Sequence, residues 1–438
     1  MRLPHFALLA YALEVLAHDA FSNIVEIGSE CQAPLLSSDT SFTCMTEGTA
    51  LTTEFDEHER DAKKRWTTST PCARNGSDSI FCVYTDANFA NGRGITFLTT
   101  PKRAEKLGAA SMLKDGPPPM KVLNPAEDPR WIVQPIASKD MGVVAVQRFE
   151  IGDRIMSATP SIMVDYDAFE DLDKVVVDWL QASGVDSLPY AHRTDFLNLS
   201  THHPVETHEE RVSKILATNA FDIDGMAPID GKDEDEEYSW YTVFPHISRF
   251  NHDCRPNADY RFDPSTLTQH IHAVRPILPG EEITLSYIGL FETRATRRSR
   301  LERTWHFNCT CSLCTQDEAQ AAASDARIRQ IENLRTHFSD WTSASKVTTQ
   351  MAELMVSLYE EERMWAGMYE AYAFAALEWN GIGEPWLATK YARLAIQHGL
   401  AVLGSKDKEV WDMKRLARDP WDHWSWMLRT RVRMNWPE

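Results

Sequence analysis

Three short stretches concentrate the residue types that do chemistry. Phe244-Pro-His-Ile-Ser-Arg-Phe-Asn-His-Asp-Cys-Arg-Pro-Asn257 places the amide of Asn251, the imidazole of His252 and the thiol of Cys254 almost side by side. Pro279-Gly-Glu-Glu-Ile-Thr-Leu-Ser-Tyr287 is a turn signal followed by a β-type run that ends on a phenol, and Trp305-His-Phe-Asn-Cys-Thr-Cys-Ser-Leu-Cys314 offers aromatics beside three thiols. No nucleophile–base–acid triad, P-loop or dinucleotide-binding glycine pattern occurs. The spacing Cys309-x-Cys311-x-x-Cys314 supplies three thiolates, and Cys254 supplies a fourth from a distant segment; four sulfurs suit tetrahedral zinc. Disulfides are the competing reading, which a secretory route would favour. A buried amide offers both a donor and an acceptor to a ligand, and an aromatic face suits a flat heterocycle. Taken singly, Asn251 reads as a turn residue and Phe307 as a core aromatic; the argument for a site rests on their occurring together.

These groups need a scaffold of short strands. Residues 131–287 read as β-type segments separated by Gly, Pro and polar turns, with a helical insert near 211–220. Upstream, Ser79-Ile-Phe-Cys-Val-Tyr84 and Ile95-Thr-Phe-Leu98, joined by Asn91-Gly-Arg-Gly94, predict a hairpin, and Lys114-Asp-Gly-Pro-Pro-Pro119 marks a boundary. After Cys314 apolar residues recur at three- and four-residue spacing over 350–359, 364–379 and 386–403, which predicts helices, with Gly381 and Gly383-Glu-Pro385 as a turn between two of them.

In this order the motifs resemble the SET-domain family of lysine methyltransferases: Asn-His-x-Cys-x-Pro-Asn, then Gly-Glu-Glu-x-Thr-x-x-Tyr, then a cysteine-rich post-SET tail. The resemblance implies an α+β fold, a β-rich SET domain with a zinc-binding post-SET tail over 131–316, followed by an α-helical, tetratricopeptide-like C-terminal domain over 317–438. It implies transfer of a methyl group from S-adenosylmethionine to a lysine of a histone or non-histone protein. Met141, Gly142, Asn251, His252, Tyr287 and Phe307 would hold the cofactor, and Tyr287 would also be catalytic. Trp305 would line the substrate channel, and Cys254, Cys309, Cys311 and Cys314 would bind structural zinc. Two positions depart from the pattern. Asp140 stands where the first glycine of a Gly-x-Gly turn is usual, and aspartate is among the better substitutes at positive φ. Leu285 stands where a second tyrosine is common. The closest likeness is to the SET-and-MYND type without the MYND finger, as in fungi, since none of the eight cysteines lies between Val83 and Asp253. A non-catalytic interaction protein of the same fold, or a tailoring enzyme acting on a small amine or peptide, are the alternatives.

Bulk properties narrow the partners. Apolar content of 43% with 25% charged residues is ordinary for a globular chain. A net charge of -19 disfavours direct nucleic-acid binding and favours a basic, lysine-bearing substrate. The acidic run Asp233-Glu-Asp-Glu-Glu237 reads as a solvated loop or as a collar drawing such peptides in. At the N-terminus the apolar run Phe6 to Leu13 is too short for a membrane span. Val15 and Ala17 fit a signal peptide over 1–17, with a buried amphipathic helix as the other reading. In the region 18–115, Cys31, Cys44, Cys72 and Cys82 suit two disulfides of undetermined pairing or, in a cytosolic protein, buried thiols. Localisation follows the signal: secreted if it is cleaved, otherwise nuclear or cytoplasmic.

Overall fold

The computed structural model describes residues 49–52, 66–75, 79–110, 113, 126–201, 204–226 and 238–434. The signal segment 1–17, Cys31 and Cys44, the boundary at 114–119 and the acidic run 233–237 lie outside the described residues.

The predicted hairpin forms: β3 (Phe81–Asp86) pairs antiparallel with β4 (Ile95–Thr99). Both strands are buried on both faces. Cys82 and Tyr84 pack into one core while Phe81 and Val83 pack into another, the period-two alternation of a central strand. The hairpin continues into a seven-stranded sheet. It is flanked on one side by β1 (Thr49–Thr52) and β2 (Cys72–Asn75), and on the other by β8 (Ile162–Asp165), β10 (Tyr238–Val243) and the edge strand β9 (Ala220–Met226). Cys72 and Cys82 face each other across β2 and β3 and are disulfide-bonded.

Two smaller sheets complete the β-rich body. One runs β11 (Asn251–His252), β14 (Glu282–Leu285), β6 (Asp140–Ala145), β5 (Trp131–Ile136); the other runs β12 (Ala258–Asp263), β13 (Thr268–Ala273), β7 (Arg154–Ala158). All three sheets contribute side chains to one core, where Trp66, Phe97 and Trp240 meet edge to face. The helical insert is present as His208–Asn219, its first turn capped by the Thr207 hydroxyl accepting from the Glu210 N–H.

The β-only reading of 131–210 needs correction. Lys174–Asp186 and Tyr190–Leu197 are helices. The run Val175-Val-Val177 suggests a strand, yet Val176, Val177, Leu180 and Val185 recur at helical spacing and bury one stripe against the large sheet. Packing of that stripe overrides the β-branched preference. Gly184 lies where an added Cβ would stand 3.0 Å from the Thr96 methyl, so the helix can sit close on β4.

After residue 317 the chain is helical as expected: Glu318–Phe338, Thr349–Glu361, Met368–Gly381, Pro385–Val402 and Lys408–Arg418. Asp317, Thr348 and Asp407 cap the starts of three of these. The turn at 381–385 carries Gly383 at φ +88°, with Pro385 at the first helical position. Sequential helices share one apolar core. Where the chain ends, Arg429 lies 3.8 Å over the Trp341 ring and forks onto Glu378 at 2.6–3.1 Å, both side chains being 2% exposed. Glu378→Ala leaves a buried guanidinium unpaired and is expected to cost about 3–5 kcal/mol. Urea unfolding followed by tryptophan fluorescence measures it; a loss below about 1 kcal/mol would show that water reaches Arg429.

Candidate active site

Four thiols gather first. Cys254, Cys309, Cys311 and Cys314 are not disulfide-bonded, and their sulfurs all lie within 4.8 Å of one another. Cys254 Sγ is 4.0 Å from Cys309 Sγ and 3.6 Å from Cys314 Sγ. A tetrahedron of four sulfurs at about 2.3 Å from a central zinc has edges of about 3.8 Å, so the donor set fits one such ion. A tight turn sets the spacing, with the N–H of Cys314 donating to the Cys311 carbonyl. Hydrogen bonds from Cys254, Cys309 and Cys314 hold Cys311 far below the ordinary thiol value, whereas bonding to the same group and burial push Cys254 up. Cys311 is thus the first of the four to carry anionic sulfur, the form that ligates metals.

His252 joins this cluster to the predicted cofactor motif. Strand β11 pairs parallel with β14, placing Asn251 beside Thr284 and His252 beside Leu285. The backbone N–H of Tyr287 donates to His252 Nδ1 at 3.0 Å, and Nε2 lies 3.2 Å from Cys254 Sγ. A backbone N–H can only donate, so Nδ1 is the acceptor and the ring proton sits on Nε2, aimed at the sulfur. Burial, with smaller contributions from Lys139 and Arg297, lowers the His252 pKa to about 3. The imidazole is neutral.

Asn251 donates its amide hydrogens to the Met141 carbonyl at 3.1 Å and to Glu282 Oε1 at 2.9 Å, and Glu282 Oε2 pairs with Lys139 Nζ at 2.7 Å. This contact explains Gly142. A Cβ there would lie 2.6 Å from Asn251 Nδ2 and 2.6 Å from the Ile136 side chain. Asp140 takes the left-handed conformation at φ +66°, and its carboxylate accepts from the Ser200 hydroxyl at 2.6 Å. The two glycine roles are thus divided: Asp140 carries the positive φ and Gly142 the close approach.

The aromatic residues converge on the same locus. The ring of Tyr287 lies 5.3 Å from His252, 5.3 Å from Trp305 and 6.5 Å from Phe307, and Phe307 lies 6.1 Å from His252. The Tyr287 hydroxyl donates to the Phe250 carbonyl at 2.8 Å, and burial raises its pKa, so it stays protonated. Its oxygen lone pairs are then what it can offer a neighbour. Trp305 is fixed by its indole N–H donating to the Thr218 carbonyl at 3.2 Å. Leu285 is fully buried in the main core and contributes no polar group.

Every site residue expected from the sequence therefore falls within one connected assembly. Lys139, Ser200, Thr218 and Glu282 were not foreseen. Glu282, in the Gly-Glu-Glu run, and Lys139, just before Asp140, carried a signal as parts of motif stretches; Ser200 and Thr218 arrive through the fold.

Residues 140–288 match the family model of the SET domain, and the chain carries that domain. It is similar to histone-lysine N-methyltransferase set5 of Schizosaccharomyces pombe, 29% identical over 216 residues covering 49% of this chain and 57% of that protein. It is 36% identical over 107 residues to a SET and MYND domain-containing protein of Dictyostelium discoideum, covering 24% of this chain and 31% of the other. It is also 36% identical over 96 residues to human N-lysine methyltransferase SMYD2, covering 22% of each chain. The match thus spans just over half of set5 and under a third of the other two. No helix among the described residues is long and apolar enough to cross a membrane.

The thiol cluster predicts about one equivalent of zinc per purified chain, read by elemental analysis. Cys309→Ser should remove most of it and lower the melting temperature. Full zinc content in that variant would show that the metal sits elsewhere.

Proposed function

We propose that this chain transfers a methyl group from S-adenosylmethionine to the side-chain amine of a lysine in a basic protein, histone or non-histone. The observation that carries the reading is that Asn251 packs against Gly142, which has no room for even a methyl side chain, while the next residue, His252, gathers the rings of Tyr287 and Phe307. Likeness to proteins named as lysine methyltransferases supports it.

Bound there, S-adenosylmethionine would supply a methyl group on a sulfonium sulfur; a neutral amine would form the new N–C bond in line as the S–C bond breaks, the pair staying on sulfur as a neutral thioether. The protein's task is then alignment and exclusion of water. Backbone groups at Met141 and Gly142, with the Asn251 side chain, would hold the polar amino-acid end, and Phe307 would offer a flat face to the adenine. Tyr287, its proton committed to the Phe250 carbonyl, presents oxygen lone pairs that can accept from the amine's N–H and attract the electron-poor methyl. Trp305 beside it would form an apolar wall for the lysine stem. Zinc at Cys254, Cys309, Cys311 and Cys314 would be structural, since four protein thiolates leave no open position. The chain's negative charge, -19 overall, favours a basic substrate.

Calorimetry with S-adenosylmethionine, followed by transfer of labelled methyl to mixed histones, tests the proposal; no cofactor binding by the zinc-loaded protein would sink it. Gly142→Ala should weaken cofactor binding by at least ~10-fold without unfolding the chain, because the clash is with side-chain atoms of Asn251, Ile136 and Glu282 and not with backbone. Tyr287→Phe should lower kcat by roughly 10- to 100-fold with the cofactor dissociation constant little changed. An equal loss in binding and turnover would assign Tyr287 to cofactor binding alone. For localisation we propose the secretory route when the mature chain begins at His18, which N-terminal sequencing reads directly; an intact Met1 argues for the nucleus or cytoplasm.

A further inference from the structure

One buried ion pair ties the helical region to the thiol cluster. Arg255 follows Cys254 directly, and its guanidinium donates back to the Cys254 carbonyl at 2.8 Å and to the Leu290 carbonyl at 3.2 Å. Its remaining donors reach Glu362, at the end of the helix Thr349–Glu361: Nε to the Glu362 carbonyl at 2.6 Å and Nη2 to Oε2 at 3.2 Å. The carboxylate is itself saturated, accepting from Ser324 Oγ at 2.7 Å and from Arg327 Nε at 2.7 Å. Both side chains of the pair are essentially inaccessible, at 2% and 0% exposure. Neighbouring ties run the same way. The Arg363 guanidinium donates to Ser312 Oγ at 3.0 Å, between two of the thiols, and Arg294 donates to the Cys314 carbonyl at 3.2 Å while its N–H meets Asp325 Oδ1 at 2.8 Å.

We propose that Arg255 and Glu362 are positioning residues for methyl transfer: Glu362, held by the helical region, fixes Arg255, which fixes the backbone of Cys254 and so the Asn251–His252 segment and the thiol cluster. The inference rests on the function proposed above, and it makes the helical region part of the active site rather than an appended domain. Desolvating two charges at this junction is expensive, and an apolar pair of similar volume would replace the attraction between them, while losing the Ser324 and Arg327 hydrogen bonds that Glu362 also accepts. What an apolar pair cannot supply is the set of fixed donors to the Cys254 and Leu290 carbonyls. Stability and positioning are therefore separable by experiment.

The full-length zinc-loaded chain is compared with Glu362→Gln, Arg255→Lys and the paired apolar variant Arg255→Met/Glu362→Leu. Three quantities are read: melting temperature, rate of zinc release to a chelator, and affinity for S-adenosylmethionine. The paired variant is expected to melt lower through the Ser324 and Arg327 hydrogen bonds it loses, and to release zinc at least ~10-fold faster and bind the cofactor at least ~10-fold more weakly than Ser324→Ala, a control that weakens the helical region and leaves Arg255 paired. KM for the protein substrate should stay unchanged. If that variant does not fold, the two conservative single variants should show the same split in milder form. Unchanged zinc release and cofactor affinity in a folded variant would reduce the pair to packing and overturn the proposal. Should the parent bind no cofactor, the proposed function fails; the zinc-release comparison still decides whether the clasp holds the thiol cluster.

Discussion

The neutral imidazole of His252 is held from two sides, by the Tyr287 backbone N–H at Nδ1 and by the Cys254 sulfur at Nε2. A protonated ring would have no lone pair for the Tyr287 N–H, so burial, by lowering the pKa to about 3, preserves the arrangement at every ordinary pH. The consequence is mechanical coupling. The strand end that carries the phenol, the segment that carries the amide and the tail that carries three thiols cannot shift independently, since one small ring is hydrogen-bonded or packed against all of them. With zinc bound as proposed, the Nε2 donor would also disperse charge on the Cys254 thiolate.

Around that ring the structure assembles segments that are remote in sequence. Asn251 reads the backbone of Met141, and Glu282 bridges Asn251 to Lys139. Parallel pairing of β11 with β14 is what brings the amide and the phenol to one spot. The strands involved are short, and β11 has only two residues. Their own ladder bonds cannot fix the geometry, so side-chain contacts to backbone carbonyls do much of the locating. Those carbonyls belong to Met141, Phe250 and Thr218, each reached from a segment remote in sequence.

Legibility in the sequence follows from this division. The thiol set was readable because spacing within a turn survives folding, whereas the roles of Asn251, His252 and Tyr287 came from the family likeness of the motifs that carry them. Phe307 and Trp305 were readable only through family likeness, since aromatic residues beside cysteines have no local rule that separates core from site. The helix at 174–186 was missed because three consecutive valines speak for a strand locally, and only burial of its stripe on the large sheet reverses that. Glu362 could not be found at all. It lies 107 residues from Arg255, in a helical stretch rich in glutamate, and nothing distinguishes it from exposed neighbours until the fold closes over it.

Leu285 and Tyr287 together constrain what the proposed channel can do. Leu285 is turned into the core, and its carbonyl is taken by the Asp253 N–H at 2.9 Å, so that position adds no hydroxyl. Tyr287 keeps its proton and spends it on Phe250, while both nitrogens of His252 are engaged. None of these groups is free to accept a full proton from an arriving ammonium. On the proposed reaction these groups therefore act on an amine that is already neutral when it is aligned. On that reading rate would come from geometry, which fits the many contacts that hold one imidazole and one backbone turn in place.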